Sequence, residues 1–405
     1  MLPFSPPRMD QKILDEVNAA LMSGWITTGP RTKKFEQKIS DYTGVQRTVC
    51  VNSASAGLEL MLRWFGVGPG DEVIVPAYTY CATANVVEHT GAKVVMVDVN
   101  ASDFNMDVDQ VAKKITNKTK VIIPVDFAGF PCDYDELNQL VNNSKVKTQF
   151  NPANDIQKKL GRIMVMSDAA HSFGGIYYGT NTGSLTDITV FSFHAVKNLS
   201  TAEGGAICLN LPSAFDLEEL YADLCRKILH GQSKDALAKT QKGNWKYDVV
   251  EAGYKCNMTD LQAAIGLVEL DRYDSETLVK RKAIFEFYQD HFKNESWAEL
   301  PVYETPEKLS SYHLYPLRIK GVSEEQRGRI IQAIFDQDIA VNVHFQPLPL
   351  LSHYKNQGYR MEDYPVAYDN YAREISLPVY FNLTDENLKS VVKAVSQAVN
   401  QVLND

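Results

Sequence analysis

Three chemically active features follow apolar segments of this sequence. Lys197 lies in FSFHAVKNLSTAEGG, between the apolar segment 187–193 and the next strand-like segment, 205–210. Asp168 follows the apolar run RIMVMS, and NSASAG at 52–57 follows another short apolar run where a helix is expected to begin. Burial disfavours the charged form of a lysine, and the neutral amine is the form that attacks aldehydes. A helix start made of small residues can bind an anion.

Each feature also has an ordinary structural interpretation. A serine before a helix commonly caps it, Asp168 could cap the next segment, and a loop lysine can extend into solvent. Together, however, they are the parts needed to hold pyridoxal phosphate: a phosphate cradle, a carboxylate that keeps the ring nitrogen protonated, and a lysine that bonds the aldehyde. Tyr78 and Tyr80, in PAYTYCATAN, offer an aromatic ring to stack on the cofactor. Two unit charges about 4 Å apart at an effective dielectric near 20 interact by about 4 kcal/mol, enough for Asp168 to hold a ring nitrogen charged.

The elements that must position these residues have an α/β rhythm. Continuous apolar runs, typical of parallel strands covered on both faces, alternate with helical stretches. The runs lie at 71–76, 92–99, 120–127, 162–169 and 187–193, and the helical stretches at 56–65, 83–89 and 134–142. In such sheets ligands collect at the carboxyl ends of the strands, where Asp168 is expected.

The second half of the chain predicts a smaller α+β domain. A long amphipathic helix is expected at 259–292, with Thr259 as its N-cap. We place a large cofactor-binding domain at 16–270 and a small C-terminal domain at 271–405, on which residues 1–15 could pack; the helix expected at 11–22 could pack with either domain. The elements expected beyond the long helix are strands at 312–319 and 339–345 and helices at 324–337 and 385–403.

The composition argues against several classes of protein. Lys+Arg 41 against Asp+Glu 50 gives a net charge of −9, and phosphate-rich nucleic acids and membrane surfaces repel such a chain. MLPFSPPRMDQK has no signal-peptide pattern and no apolar run approaches the roughly 18 residues of a membrane helix, so a cytoplasmic protein is expected.

GVGPGDE precedes its strand, unlike a dinucleotide-binding fingerprint, and predicts a turn at 69–70. The scattered cysteines are typical of free thiols, with a zinc site or disulfides as the alternative, and no metal site is expected: Cys50, Cys81, Cys132, Cys208, Cys225 and Cys256.

Eight sequence blocks, in order, match a known family. They are SGWITTGPRTKKFE, VNSASAGLEL, GDEVIVPAYTYCATANVV, DAAHSFGG, FSFHAVKNLSTAEGGAI, GYKCNMTDLQAAIGLVEL, YHLYPLRI and EISLPVY. Nearly end to end, the chain resembles the DegT/DnrJ/EryC1/StrS aminotransferases, pyridoxal-phosphate enzymes that put amino groups on nucleotide-linked keto sugars. The resemblance implies the aspartate-aminotransferase fold (fold type I): a large α/β domain with a mixed, mostly parallel seven-stranded sheet, a smaller α+β C-terminal domain, and a homodimer with shared active sites.

The resemblance also implies residue roles, motif by motif. Lys197 matches the lysine that bonds the cofactor aldehyde, and Asp168 matches the partner of the pyridinium nitrogen. His171, in DAAHSFG, matches a side chain near the phenolic oxygen of the cofactor, and Tyr80 matches the ring-stacking aromatic. Ala54, Ser55 and Ser192 match the residues that bind the cofactor phosphate. Asn257, with Lys255 near it, lies in the segment that reaches the neighbouring subunit's cofactor.

The implied reaction is the transfer of an amino group from an amino acid, with glutamate expected, to a nucleotide-linked keto sugar in polysaccharide or amino-sugar biosynthesis. A dehydratase branch of the family carries histidine at the position of Lys197, so the lysine favours transamination. SFHAVKN is most similar to members that make 4-amino sugars. The alternatives are dehydratase-type or other pyridoxal-phosphate chemistry on the same sugars and a non-catalytic regulatory paralogue.

Two positions depart from the family pattern. Asp126 and Pro349 stand where many nucleotide-sugar members have histidine, in regions that border the substrate pocket of the family. The stretch 144–160 resembles an insertion and has no inferred role.

Overall fold

The computed structural model describes residues 1–234 and 245–404 of the chain. Within these residues the strands are β1 (Arg47–Val51), β2 (Glu72–Pro76), β3 (Lys93–Val97), β4 (Thr119–Ile122), β5 (Met164–Asp168), β6 (Ile176–Tyr177), β7 (Thr180–Asn181), β8 (Ile188–Ser192), β9 (Gly205–Leu209), β10 (Ala298–Glu299), β11 (Lys308–Leu309), β12 (Tyr315–Ile319) and β13 (Glu374–Leu377).

The α-helices of the described residues are α1 (Gln11–Met22), α2 (Pro30–Thr43), α3 (Ala54–Trp64), α4 (Ala82–His89), α5 (Val108–Lys114), α6 (Tyr134–Asn142), α7 (Ser144–Gln149), α8 (Asp155–Leu160), α9 (Leu217–Lys227), α10 (Asp260–Asp271), α11 (Val279–Phe292), α12 (Glu324–Phe335), α13 (Ser352–Asn356), α14 (Pro365–Arg373) and α15 (Asp385–Asn404). A π-helical segment, Tyr273–Leu278, joins α10 to α11, and 3-10 turns occur at Phe127–Gly129, Leu348–Leu350 and Met361–Asp363.

The main sheet has seven strands in the order β1-β9-β8-β5-β4-β2-β3. The strands from β8 to β3 pair in parallel, while β9 pairs antiparallel with both β8 and β1. All residues of β4, β5 and β9 are buried, as expected of strands covered on both faces, although β4 begins with Thr119 and Lys120 and β5 ends in Ser167 and Asp168. The predicted mixed, mostly parallel seven-stranded sheet is therefore confirmed, and the carboxyl ends of β1, β2, β5 and β8 meet at one edge.

A second apolar core forms in the C-terminal part of the chain. Side chains of α11, α12 and α15 pack there on the three-stranded sheet β10-β12-β13. The first residues also reach this core, because Leu2 pairs with Ile339 in a parallel bridge and packs against it. The division into domains at 16–270 and 271–405, parts of which (235–244 and 405) lie outside the described residues, stays a prediction.

Two expected elements differ from the structure. The predicted helix at 259–292 is broken after α10, where Arg272 has a non-helical φ of −118° and the π-helical segment begins. The strand expected at 339–345 does not form in the described residues, because Ile339 and Asn342 make only isolated bridges instead of a continuous ladder. The insertion-like stretch 144–160 contains α7 and α8.

No helix in the described part of the chain is long and apolar enough to cross a membrane. The six cysteines are all free thiols. Among the described residues, no group of three or more histidine, cysteine, aspartate or glutamate side chains is placed to hold a metal ion.

Candidate active site

A cavity of about 360 Å³ opens at the carboxyl edge of the main sheet. Asp168 and Ser192, the last residues of β5 and β8, reach it. Lys197 lies in the connection between β8 and β9, where its backbone N–H donates to the His194 carbonyl at 2.9 Å. Seven of the eight predicted site residues line this one cavity: Ala54, Ser55, Tyr80, Asp168, His171, Ser192 and Lys197.

Asn257, the eighth, lies outside the cavity lining. Its Nδ2 donates to Thr28 Oγ1 at 2.6 Å, its Oδ1 accepts from Lys255 Nζ at 2.5 Å, and its backbone forms a bridge to Val51 at the end of β1. The role that the family resemblance implies for Asn257, at the neighbouring subunit's cofactor, stays a prediction.

The amine of Lys197 is the reactive group that the cavity presents. Burial lowers the pKa of Lys197 from 10.5 to about 8, and the negative charge of Asp168 acts in the opposite direction. Lys197 is half-buried, and the cavity walls replace part of the water around its ammonium group. A larger share of the amine is therefore neutral at physiological pH than for an exposed lysine.

Asp168 is buried, 6 % exposed, and held in place by two donors. Thr83 Oγ1 donates to Asp168 Oδ2 at 2.8 Å and the Ala170 N–H donates to Oδ1 at 3.3 Å. Burial raises the pKa of Asp168, while these hydrogen bonds and the positive charge of Lys197 lower it. A buried carboxylate with its remaining acceptor capacity directed to the cavity favours a cationic group there.

The start of α3 forms the anion-binding end of the cavity. Ser53 caps the helix by accepting from the Ala56 N–H at 3.1 Å, so its ordinary interpretation as a capping serine is correct. Ser53, Ala54 and Ser55 line the cavity at this helix start, where the first backbone N–H groups have no partner within the helix and can bind an anion. Gly205 allows this close approach, because a Cβ atom at this position would lie 2.6 Å from the Ala54 backbone nitrogen.

The two tyrosines of PAYTYCATAN have different environments. Tyr78 is 1 % exposed and packs in the core, which leaves it unable to stack on a bound ring. Tyr80 is 59 % exposed at the cavity, with its ring centroid 5.7 Å from that of Phe345. Of the two tyrosines, Tyr80 is thus the one whose ring is available to a cofactor.

Two neutral imidazoles, those of His171 and His313, also line the cavity. His171 and His313 lie with their ring centroids 4.3 Å apart, and burial lowers the pKa of both well below the usual range. His313 Nδ1 lies 2.9 Å from Asn198 Oδ1. His171 Nδ1 is buried and has no hydrogen-bond partner among the described residues, a state that a bound oxygen or nitrogen would relieve.

Sequence reasoning missed several residues of this site. Thr83, His313, His344 and Phe345 contact the cavity or its carboxylate, but the pattern of their segments predicts only a helix or a strand and marks no site. Asp126, by contrast, does not line the cavity. It is 0 % exposed and accepts from Tyr134 Oη, Ser172 Oγ and the Cys132 N–H at 2.6, 2.6 and 2.9 Å. Pro349 is buried in the 3-10 turn Leu348–Leu350, also outside the cavity lining.

These residues fit pyridoxal phosphate. The helix start suits the phosphate, Asp168 suits a protonated ring nitrogen, the unpaired His171 Nδ1 suits a polar ring substituent, and Lys197 suits the aldehyde. When bound, pyridoxal phosphate supplies an electron sink that stabilises negative charge on the carbon bearing the amino group.

The pKa of Lys197 predicts how fast the apoprotein reacts with an aldehyde. At pH 7 about 10 % of an amine with pKa 8 is neutral, against roughly 0.03 % of an exposed lysine. The rate of imine formation with pyridoxal phosphate should therefore rise about tenfold per pH unit below pH 8 and level off above it. Stopped-flow absorbance of the apoprotein, with Nα-acetyl-lysine as reference, measures this. A rate that keeps rising to pH 10 contradicts the pKa, and Asp168→Asn should move the plateau to lower pH.

The sheet order and this combination of side chains define a pyridoxal-phosphate-dependent enzyme of fold type I. The family model of the DegT/DnrJ/EryC1/StrS aminotransferase family matches residues 7–396. The chain belongs to this family and is a pyridoxal-phosphate-dependent aminotransferase, as the sequence resemblance predicted.

Solved structures and curated relatives agree with this membership. Spr1654 of Streptococcus pneumoniae, assigned as a sugar aminotransferase, is 48 % identical in its PMP-form, with a TM-score of 0.95 over 99 % of this chain and 100 % of that chain. Its PLP-form is 47 % identical with a TM-score of 0.94 over 99 % of each chain. The spore coat polysaccharide biosynthesis protein SpsC of Bacillus subtilis is 36 % identical over 98 % of this chain and 97 % of that protein.

Proposed function

We propose that the protein transfers an amino group from glutamate to a nucleotide-linked keto sugar, in cell-surface polysaccharide or other amino-sugar biosynthesis. The observation that carries the proposal is the joint placement of Lys197, Asp168 and the start of α3 in one cavity. The similarity to SpsC and to the sugar aminotransferase Spr1654 supports a sugar as the acceptor. We further propose a cytoplasmic homodimer with shared active sites, in which the segment of Asn257 completes the neighbouring cavity.

The residues of the chain divide the chemical work between them. Lys197 Nζ would bind the aldehyde of pyridoxal phosphate, and as a free amine it would accept and return the proton on the carbon that bears the amino group, as a general base and acid. The Asp168 carboxylate would hold a proton on the ring nitrogen of the cofactor, and the hydrogen bond from Thr83 fixes the orientation of this carboxylate. His171 orients the cofactor, while the apolar walls exclude water from the reacting carbon.

The half-reactions test the function and identify the substrates. Holoenzyme mixed with L-glutamate should lose its visible absorption band as the amino group is transferred, and 2-oxoglutarate should accumulate in equal amount. The aminated protein should then recover the band with one member of a panel of nucleotide-linked keto sugars. A protein that never reacts with any amino acid is a regulatory paralogue, and release of a deoxygenated sugar without an amino group indicates dehydratase chemistry. Either outcome contradicts the proposal.

A further inference from the structure

His344 lines the cavity and is fixed on several sides. Its backbone N–H donates to Glu374 Oε2 at 3.1 Å, and its carbonyl accepts from Tyr78 Oη at 2.6 Å. Its ring stacks on Phe4, with centroids 5.4 Å apart and an interplanar angle of 25°, and Nδ1 lies 2.9 Å from Ser376 Oγ. Among the described residues no hydrogen bond reaches Nε2, so this is the nitrogen left for an occupant of the cavity.

A buried hydrogen-bond chain continues behind the ring. Ser376 Oγ lies 2.5 Å from Glu374 Oε1, and both side chains are 0 % exposed. Since Glu374 Oε2 already accepts the His344 N–H, a proton on this carboxyl group belongs on Oε1. A serine hydroxyl in such a chain donates one hydrogen bond and accepts another, so the direction of the chain follows the protonation of Glu374.

The two directions give opposite tautomers of the ring. With Glu374 protonated, its O–H donates to Ser376, Ser376 donates to His344 Nδ1, and the ring proton is on Nε2. With Glu374 ionised, Ser376 donates to the carboxylate, Nδ1–H donates to Ser376, and Nε2 presents a lone pair to the cavity. His344 is uncharged in both states.

The surroundings favour the protonated carboxyl group at neutral pH. Burial raises the pKa of Glu374 to about 8. The hydrogen bonds from Ser376 and the His344 N–H, and the positive charges of Arg327 and Arg318, lower this pKa but do not cancel the effect of burial. Both guanidinium groups also bind elsewhere: Arg318 pairs with Glu299 at 2.8 Å, and Arg327 donates to the Ala372 carbonyl at 3.4 Å. Tyr78, the other titratable group beside this carboxyl, is buried and its pKa lies well above the usual range, so it stays neutral.

The groups on the cavity side keep the ring uncharged. Burial and the positive charge of Lys197 lower the pKa of His344 to about 3. His171 and His313, which also face this space, have pKa values well below the usual range for the same reasons. A neutral imidazole N–H is therefore the form that His344 offers below about pH 8.

We propose that His344 is a substrate-binding residue that donates a hydrogen bond from Nε2–H to a carboxylate oxygen of the amino-acid donor, and that Glu374 is the positioning residue that sets this tautomer through Ser376. The ligand is assigned as a carboxylate because the positive charge of Lys197, in the same cavity, acts at the His344 ring and would stabilise an anion bound beside it. A hydrogen bond to an ionised carboxylate is also stronger than one to a neutral oxygen. The proposal rests on the proposed function in taking an amino acid as the donor.

Nitrogen-15 NMR of histidine-labelled holoenzyme tests the tautomer without any substrate. The His344 ring, identified by loss of its signals in His344→Asn, should be Nε2-protonated at pH 7 and become Nδ1-protonated above about pH 8. Glu374→Gln should remain Nε2-protonated at both pH values, because the amide N–H₂ can replace the carboxyl O–H as donor to Ser376. Ser376→Ala should remove the pH step, while Ser376→Thr, which retains a hydroxyl, should keep it. An Nδ1-protonated ring at pH 7 in the wild type overturns the proposal.

Binding of L-glutamate tests the ligand. Only the tautomer with the proton on Nε2 binds the carboxylate. Between pH 7 and pH 9 the dissociation constant for L-glutamate in the half-reaction should therefore rise about tenfold more in the wild type than in Glu374→Gln. The limiting rate should change with pH to a similar extent in both proteins. An equal pH dependence in both proteins overturns the substrate role of His344. Failure of wild-type holoenzyme to react with L-glutamate contradicts instead the donor named under the proposed function, and leaves the NMR result as the test of the chain from Glu374 to His344.

Discussion

Replacing Lys197 with alanine should lower the rate of transamination by at least about 10⁴-fold, since it removes both the nucleophile and the proton-transfer group. The cavity otherwise stays intact, because the turn is held by backbone contacts such as the Thr201 N–H donating to the Phe193 carbonyl at 2.8 Å. Lys197→Arg is the matched control, which keeps the positive charge but cannot form an imine. Rates with L-glutamate, measured for both variants, check the prediction.

Both variants should bind pyridoxal phosphate only non-covalently, through the start of α3 and the groups around the ring. Fluorescence or equilibrium dialysis would measure this retained binding. A Lys197→Ala variant whose transamination rate is within tenfold of the wild-type rate contradicts the role of Lys197 as nucleophile and proton-transfer group. Lys197→Arg that is as active as the wild type contradicts a covalent role and leaves only an electrostatic one.

The second large effect is expected for Asp168→Asn. The amide is isosteric and can still accept from Thr83 Oγ1, but it removes the negative charge opposite the ring nitrogen. An interaction of about 4 kcal/mol between charges some 4 Å apart corresponds to roughly a 10³-fold loss of rate. The limiting rate of the L-glutamate half-reaction should fall by this factor, while the dissociation constant for pyridoxal phosphate changes much less.

Thr83→Val supplies the comparison for Asp168. It removes the hydrogen bond at 2.8 Å but leaves the carboxylate, and a hydrogen bond to a charged group contributes about 1.5–3 kcal/mol, so a loss of roughly ten- to a hundredfold is expected. A half-reaction in which Asp168→Asn is no slower than Thr83→Val contradicts the electrostatic role of the carboxylate.

The sequence predicted the part of the site that lies next to strands. Continuous apolar runs located β2, β3, β5 and β8, and in a parallel sheet the residues after such runs meet at one edge. Lys197, Asp168 and the start of α3 could therefore be placed together, even before the family resemblance assigned their roles.

The remaining residues of the cavity had no such signal. His344 lies in an apolar run that predicts a strand, and its partners Ser376 and Glu374 lie on β13, some thirty residues further along the chain. Only the tertiary fold brings them together, since a hydrogen-bonded chain across two segments has no sequence period. For the same reason the sequence did not show that Asp126 lies outside the cavity, where its carboxylate accepts hydrogen bonds from Tyr134 and Ser172 inside the core.

Borohydride reduction of the holoenzyme, followed by proteolysis and mass spectrometry of the peptides, tests the central claim most directly. Reduction converts an imine between the cofactor and a lysine into a stable secondary amine, which marks the residue. The account predicts a phosphopyridoxyl group on Lys197, lost when excess L-glutamate is added before reduction. A modification on another lysine, or none on Lys197 in protein that contains the cofactor, would contradict it.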